Sequence, residues 1–312
     1  MEYRPLGRTG LEVSALCLGT VKFGRKTPEE DAQGIVDRAI DGGINFIDTA
    51  RAYDSEPIVG RALERNGCRD DVYICTKITP TANGRISILR RCEESLRRLR
   101  TDRIDLLLLH RPNPDIPIDE SLRALDDLIG AGKVRYVGTS GFKSWQILES
   151  LWVARELGLE RFVAEQCVYN LFARWVEVEL LPMCRTYGVG TMLWSPLGAG
   201  VLTDRYSRDD PPGHVDLSER EWGVLKKAQR LAREKGCTTS QLALAWCLAR
   251  PGVTSAIAGP SRLEQLEDDF GALEVDLTDE DVERLDEVSP PGWTARQDWY
   301  GWQFGLPHTH RW

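Results

Sequence analysis

Four side chains stand out in this 312-residue sequence by their type and position: Asp48, Tyr53, Lys77 and His110. Asp48 follows the short strand-like run Asn45–Ile47, with Tyr53 shortly behind it; Lys77 follows Val72–Thr76, and His110 follows Ile104–Leu109. A tyrosine by itself is a poor acid and a scarce phenolate at neutral pH, because its ordinary pKa is about 10. A neighbouring ammonium favours the phenolate and lowers that value; Lys77 could supply it. A carboxylate such as Asp48 would keep the lysine charged in a buried place, and His110 could hydrogen-bond and orient a carbonyl oxygen. Together the four can move a proton at oxygen while hydride moves at carbon. Each also has a plainer reading: a snorkelling strand-end lysine, a satisfied core histidine, an N-cap at Asp48-Thr49, a rim tyrosine. Four matched types at the ends of consecutive runs outweigh those separate readings.

Such a set needs a scaffold that brings successive segment ends to one place. Eight strand-like runs cross the chain: Ala15–Leu18, Asn45–Ile47, Val72–Thr76, Ile104–Leu109, Arg135–Gly138, Phe162–Gln166, Gly190–Trp194 and Ser255–Ala258. Helical patterns separate them at 28–42, 55–66, 86–100, 119–131, 144–157, 175–187, 239–250 and 263–270. Strands alternating with helices predict parallel βα units. Eight of them is the count of a (β/α)8 TIM barrel, whereas an open doubly wound sheet typically has about five to seven strands. Glycines after several helix ends (Gly42-Gly43, Gly67, Gly132, Gly158, Gly188) fit left-handed caps. A hairpin, Tyr3–Leu6 with Leu11–Val13, precedes the barrel. A long loop and an extra helix near 218–235 follow the seventh run, and a tail begins at 277. Residues 1–312 read as a single domain, with an aromatic-rich C-terminal tail at 292–312.

Composition narrows the function classes. Charged residues are 28% and hydrophobic ones 42%, a globular balance. The longest apolar run, Leu242–Ala249, is far short of a membrane span, and the N-terminus shows no apolar signal region. The eight cysteines never fall in a Cys-x-x-Cys spacing. They read as small buried hydrophobes in a reducing, cytoplasmic setting, and no metal site is expected. Seven arginines between Arg85 and Arg103 share a helical pattern with apolar Leu89, Cys92, Leu96 and Leu99, so they read as a solvated face. No basic stripe interleaved with aromatics points to nucleic acid.

Other strand ends carry polar or backbone-exposing residues: Gly19-Thr20, Thr139-Ser140, Gln166, Trp194-Ser195-Pro196-Leu197 and Gly259-Pro260-Ser261-Arg262. Phe46-Ile47-Asp48-Thr49-Ala50, Tyr53-Asp54-Ser55-Glu56, Thr76-Lys77 and Leu106–His110 resemble the aldo-keto reductase signatures over nearly the whole chain. That resemblance implies a barrel that binds NADPH without a Rossmann domain and reduces an aldehyde, ketone or keto-sugar reversibly. Tyr53 would be the general acid/base, tuned by Lys77 and Asp48, with His110 orienting the carbonyl. Gly19, Thr20 and Val21 resemble the first-strand lip, and Asp48 should also touch the nicotinamide ribose. Ser140 and Gln166 resemble the pair that holds the carboxamide, and Trp194 the aromatic that stacks on the nicotinamide. Ser195, Pro196, Leu197 and Gly198 would follow the pyrophosphate. Arg205 sits where the family places a cation over the cofactor. Gly259, Ser261, Arg262, Gln265, Asp268 and Asp269 resemble the segment for the adenosine 2′-phosphate and adenine. That segment usually ends Glu-Asn, and Asn or Arg commonly stands where this chain has Gly141. NADPH is expected in preference to NADH.

Trp194 is also typical of the branch related to potassium-channel β-subunits, so a cofactor-sensing regulatory subunit without significant turnover is the alternative. That branch tends to replace the histidine found here at position 110. A barrel glycosidase would need two carboxylates, with Asp48 and Glu165 the conceivable pair, but strand alternation puts Glu165 and Gln166 on opposite faces. The tail holds Trp293, Trp299, Tyr300, Trp302, Phe304 and Trp312, with His308 and His310. These aromatics either fix the tail to the barrel or line the substrate mouth. The identity of the small-molecule substrate is not legible in them.

Overall fold

The computed structural model describes residues 1–295. Strands β1 (Tyr3–Pro5) and β2 (Glu12–Ser14) form an antiparallel hairpin. The next eight are β3 (Leu16–Gly19), β4 (Phe46–Asp48), β5 (Tyr73–Ile78), β6 (Ile104–Leu109), β7 (Val134–Ser140), β8 (Phe162–Val168), β9 (Gly190–Trp194) and β10 (Ser255–Ala258). They close in the order β10-β3-β4-β5-β6-β7-β8-β9, every pairing parallel. Helices α1 (Glu29–Asp41), α2 (Glu56–Asn66), α3 (Arg85–Leu99), α4 (Ile118–Gly130), α5 (Ser144–Leu157) and α6 (Leu180–Tyr187) lie between successive strands. Helices α7 (Glu219–Lys235) and α8 (Thr239–Leu248) separate β9 from β10; α9 (Leu263–Phe270) and α10 (Asp279–Asp286) follow it. This is the (β/α)8 barrel that the alternation predicts.

The period of two along each strand builds both cores. One phase, including Cys17, Phe46, Cys75, Leu106, Leu108, Ala164, Met192 and Ile257, packs together with hairpin residues Leu6, Leu11 and Val13. The hairpin therefore closes the floor. Gly7, at φ +59, allows this close approach: a Cβ there would lie 2.6 Å from Gly190 N and 2.7 Å from Gly188 O. The other phase, including Leu16, Leu18, Ile47, Ile74, Leu107 and Leu109, joins the helices' apolar faces in the outer core. The inner phase continues upward into Asp48, Lys77, His110 and Gln166, so side-chain alternation itself gathers the polar set at the strands' carboxyl ends.

Two segments differ from the sequence expectation. The pattern at 175–187 is split into a 3-10 turn, Trp175–Glu177, and α6, with a non-helical backbone at Glu179 (φ −141°, ψ −48°) between them. The turn is held because buried Arg174 pairs with Glu177 at 2.8 Å and Asp286 at 2.6 Å and lies 5.0 Å over the Trp246 ring. The segment from 277 is not only tail, since α10 begins at a Thr278 cap that accepts from Asp281 N. Its acidity concealed it in the sequence: Asp281 pairs with Lys235 and Glu287 with Lys227, both on the basic face of α7. Beyond α10 the chain returns to the barrel mouth, where Ala295 N donates to Phe172 O and Thr294 bridges Ala173. Of the tail aromatics, Trp293 lies 4.4 Å beneath Arg220; Trp299, Tyr300, Trp302, Phe304, Trp312, His308 and His310 lie outside the described residues.

Helix α2, which carries the Tyr53 turn into the barrel wall, crosses α3 at Gly60. A Cβ there would lie 2.6 Å from Leu99 C and 2.8 Å from Arg98 O, both backbone atoms that cannot swing aside. In an unconstrained helix Gly→Ala stabilises by about 1 kcal/mol. Here Gly60→Ala is expected to destabilise by about 1–3 kcal/mol through overpacking, read as a lower thermal unfolding midpoint. An unchanged or higher midpoint would show that α2 and α3 are not in this close contact.

Candidate active site

The site grows from β4 and β5. Pairing sets Asp48 beside Cys75 and leaves Lys77 one inward position higher. Lys77 is 1% and Asp48 3% exposed. Lys77 Nζ donates to Asp48 Oδ1 at 2.6 Å, Asp48 Oδ2 at 2.7 Å and Thr49 O at 2.8 Å. Gln166 Nε2, from β8, donates to the same Asp48 Oδ1 at 2.7 Å. Burial alone would drive Lys77 toward the neutral amine, but Asp48 reverses this and holds it charged, above its ordinary value.

Tyr53 ends a 3-10 turn, Arg51–Tyr53, and Lys77 Nζ lies 4.8 Å from its ring centroid. Burial raises the phenol above its ordinary pKa, Lys77 pulls it down and Asp48 pushes it up; the net direction is upward. The expected lysine effect is therefore present but outweighed by desolvation, so this correction leaves Tyr53 as a proton-holding phenol. His110, whose amide donates to Ile78 O at 2.8 Å, packs edge-on against Tyr53 with ring centroids 5.8 Å apart. Burial, reinforced by the Lys77 and Arg111 cations, pushes His110 down to about 3. It is a neutral imidazole at physiological pH, able to donate from one ring nitrogen.

An outer layer of polar residues fixes this group, and sequence reading assigned most of it no role. Ser55 Oγ lies 2.8 Å from Thr49 Oγ1 and 2.9 Å from Thr20 Oγ1, while Thr20 Oγ1 also donates to Asp48 O. The fully buried Glu56 accepts from Thr76 Oγ1 at 2.7 Å and Arg98 Nε at 2.9 Å. Arg98 also reaches Asp54, and Arg51 pairs with Glu94 at 2.7 Å. The Tyr53 turn is thereby tied to α3 at both ends. Arg98 belongs to the arginine run read as a solvated face, so its partner is what the helical periodicity could not reveal. Glu56 stood inside the Tyr53-Asp54-Ser55-Glu56 motif but read as an ordinary first-turn acid.

The other expected residues ring the same end of the barrel. Ser140 pairs with Gln166 in register, and both are buried; Trp194, partly exposed, ends β9 beside Val168. Gly19 is packed against Ile257 and Ala258, and Val21 is exposed. In the loop after β9, Ser195 and Ala199 take left-handed φ of 56° and 57°, beside Gly198 and Gly200. Such non-glycine strain marks functional loops more often than ordinary turns. Ala199 N donates to Ser195 Oγ at 2.8 Å and Gly198 N to Ser195 O at 2.9 Å, so these two amides brace the loop itself. Pro196 is buried and Leu197 partly so.

Arg205 is exposed over the Tyr206 ring, and Arg262 is exposed at the start of α9. After Gly259, Ser261 is held by Gln265 through its amide and hydroxyl. Asp268 turns toward α8, accepting from Thr238 Oγ1 and Gln241 Nε2. Asp269 is buried, and burial with repulsion from Asp268 raises it to about 7 against the pull of Lys22. Lys22 is a further cation of this end that sequence reasoning passed over.

Glu165 is buried on the other face of β8, accepting from Thr139 Oγ1 at 2.5 Å and Phe142 N at 3.2 Å. With Asp48 turned to the lumen and committed to Lys77 and Gln166, the two acids do not flank a common space, which removes the glycosidase arrangement. Among the described residues no group of three or more His, Cys, Asp or Glu could hold a metal ion. No helix there is long and apolar enough to cross a membrane.

Comparison with known proteins agrees with this geometry. Residues 15–290 match the aldo/keto reductase family, and the chain belongs to that family of oxidoreductases. It is 36% identical to the uncharacterized oxidoreductase YrpG of Bacillus subtilis, over 97% of this chain and 100% of that protein. It is 38% identical to a probable voltage-gated potassium channel subunit beta of Arabidopsis thaliana, over 88% of this chain and 92% of that one. The corresponding protein of rice is 37% identical, over 92% and 96%.

The burial of His110 can be checked directly. In NMR titration its ring should show no protonation between pH 5 and 8, with the midpoint near 3. A midpoint close to the ordinary value of about 6.5 would contradict its placement beside Lys77 and Arg111.

Proposed function

We propose that this protein is an NADPH-dependent carbonyl reductase that interconverts an aldehyde, ketone or keto-sugar with its alcohol. The observation that carries this reading is the charged Lys77 held between the Asp48 carboxylate and the Tyr53 ring, with neutral His110 edge-on to the same phenol. A carbonyl oxygen placed between Tyr53 and His110 would receive two hydrogen bonds, one from the phenol and one from the imidazole. In reduction Tyr53 gives its proton to the oxygen as negative charge develops there, and Lys77 stabilises the phenolate left behind. The raised pKa of Tyr53 suits this direction, because the phenol stays protonated through neutral pH. Alcohol oxidation runs the same path backward and needs the phenolate.

The residues around this group fit a nicotinamide cofactor. Buried Ser140 and Gln166 sit side by side at the mouth, and Gln166 spends its amide donor on Asp48, which leaves its oxygen to accept from a carboxamide. Trp194 would lie along the nicotinamide ring, and the strained Ser195–Gly200 loop would follow the pyrophosphate. Thr20, Val21 and Gly259 form the adjacent lip. Arg205 and Arg262 would meet the 2′-phosphate, with Ser261, Gln265, Asp268 and Asp269 near the adenosine. When bound, NADPH supplies the hydride.

The channel-subunit relatives support a second reading, a cofactor-sensing subunit with little turnover. Intact His110 beside Tyr53 favours catalysis. Tyr53→Phe should lower NADPH-dependent carbonyl reduction by about 10²–10⁴-fold while leaving NADPH affinity nearly unchanged. Full turnover in that variant would remove Tyr53 as proton donor, and absence of wild-type turnover on any carbonyl would favour the sensing subunit. Direct titration should find NADPH bound more tightly than NADH; equal affinities would remove the roles given to Arg205 and Arg262.

A further inference from the structure

Five arginines converge on a cleft between α2 and α3. Arg51 comes from the Tyr53 turn, Arg61 from α2, Arg97 and Arg98 from α3, and Arg100 from the C-cap of α3. The cleft holds about 440 Å³, within the range of small-molecule sites (about 300–1,000 Å³), and among the described residues Glu94 is the one acid that lines it. The attraction of a helix C-terminus for cations accounts for Arg97 and Arg98. It does not account for Arg51 and Arg61, which arrive from other elements. Arg100 takes the left-handed conformation, φ +53°, where α2, α5, α6 and α7 all place a glycine. Arginine therefore occupies this corner against about 1–2 kcal/mol of backbone strain.

Most acids that meet these guanidinium groups stand at the solvent surface. Arg61 pairs with Glu29 of α1, Arg100 with Glu64, Arg98 with Asp54 and Arg51 with Glu94. Exposed pairs of this kind contribute about 0–1 kcal/mol each, so an anion of higher charge can take the guanidinium groups over. The Arg98–Glu56 contact is different, because Glu56 is fully buried. The exposed Arg97 side chain makes no hydrogen bond or ion pair among the described residues. A guanidinium fork matches two phosphate oxygens in parallel hydrogen bonds. A single phosphate group offers three strong acceptor oxygens, too few for five such forks, whereas two linked phosphates offer more and span the width between α2 and α3.

We propose that the α2–α3 cleft binds a small soluble molecule carrying two linked phosphates, which bridges Arg51 and Arg61 to Arg97, Arg98 and Arg100. Its charge takes Arg51 from Glu94 and Arg98 from Asp54, while buried Glu56 keeps its bond to Arg98. The Tyr53 turn then stays tied to α3, now through the phosphates. Binding here needs neither a nicotinamide cofactor nor a carbonyl, so it stands whether or not the protein is a reductase. The residues expected to follow the cofactor's own phosphates, from Ser195 to Arg205 and at Arg262, come after β9 and β10 and do not line this cleft.

The test is isothermal titration calorimetry on the full chain loaded with NADPH, with inorganic pyrophosphate as the probe. Pyrophosphate should saturate one site, and orthophosphate should bind it about tenfold more weakly. Arg61→Gln and Arg97→Gln should each weaken pyrophosphate about tenfold, equivalent to about 1.4 kcal/mol, and Arg97→Lys should recover part of that loss. Both arginines lie at the surface, and NADPH affinity equal to that of wild type shows that the variants are folded. Arg90→Gln, on α3 but outside the cleft, should leave pyrophosphate affinity unchanged. Absence of saturable binding would overturn the proposal, as would equal affinity in wild type, Arg61→Gln and Arg97→Gln. An equal loss in Arg90→Gln would also overturn it, because the anion would then be answering the general charge of α3. A loss in Arg205→Gln with the cleft variants unaffected would place the probe in the cofactor groove and overturn it as well.

Discussion

The site depends on keeping one ammonium charged where water is excluded. Lys77 is sealed into the barrel wall, where its ammonium donates to both oxygens of Asp48 and to the carbonyl of Thr49. Either ion alone in that place would be costly; removing one partner of such a pair typically costs about 3–5 kcal/mol. Together they set the electrostatics of everything near them. The lysine reinforces the burial that keeps His110 neutral, restrains the rise of the Tyr53 pKa, and stands ready to stabilise a phenolate. Asp48 in turn orients Gln166, which links the proton-transfer group to the place where a carboxamide would sit.

A fixed charge is useful only if the phenol is fixed too, and Tyr53 lies on a short 3-10 turn with little intrinsic rigidity. Rigidity comes from outside. Arg51–Glu94 and Arg98 with Asp54 and Glu56 tie the turn to α3, and the Thr20, Thr49 and Ser55 hydroxyls tie it to β3 and β4. The close crossing at Gly60 brings α3 near enough for Arg98 to reach a buried carboxylate. The barrel thus works as a frame in which strand alternation selects the inward side chains and the helix layer locks Tyr53, which lies on a separate turn beyond β4.

Much of this was legible before any coordinates. Strand alternation, helix periodicity and glycine caps are local signals, and the eight-strand barrel follows from counting them. Asp48, Lys77, His110 and Gln166 were legible because they extend the inward phase of their strands. Long-range ion pairs leave no local trace, so Glu56 with Arg98, Arg174 with Asp286, and the basic face of α7 under α10 were not. The balance between burial and Lys77 at Tyr53 was equally hidden, because it depends on how much solvent the fold removes. The strained Ser195 and Ala199 backbone lies beyond sequence reasoning for the same reason, since neither residue type favours a positive φ.

Lys77 lowers the proton affinity of Tyr53 against the burial that raises it, and the pH dependence of the proposed alcohol oxidation with NADP+ reads that lowering. Oxidation needs the phenolate, so its rate rises as pH passes through the Tyr53 pKa. Lys77 lowers that pKa against the upward push of burial and of Asp48. In Lys77→Met protein that still binds the cofactor, the rise should move to higher pH than in wild type. A rise at the same pH, or at a lower one, would show that Lys77 does not lower the Tyr53 pKa.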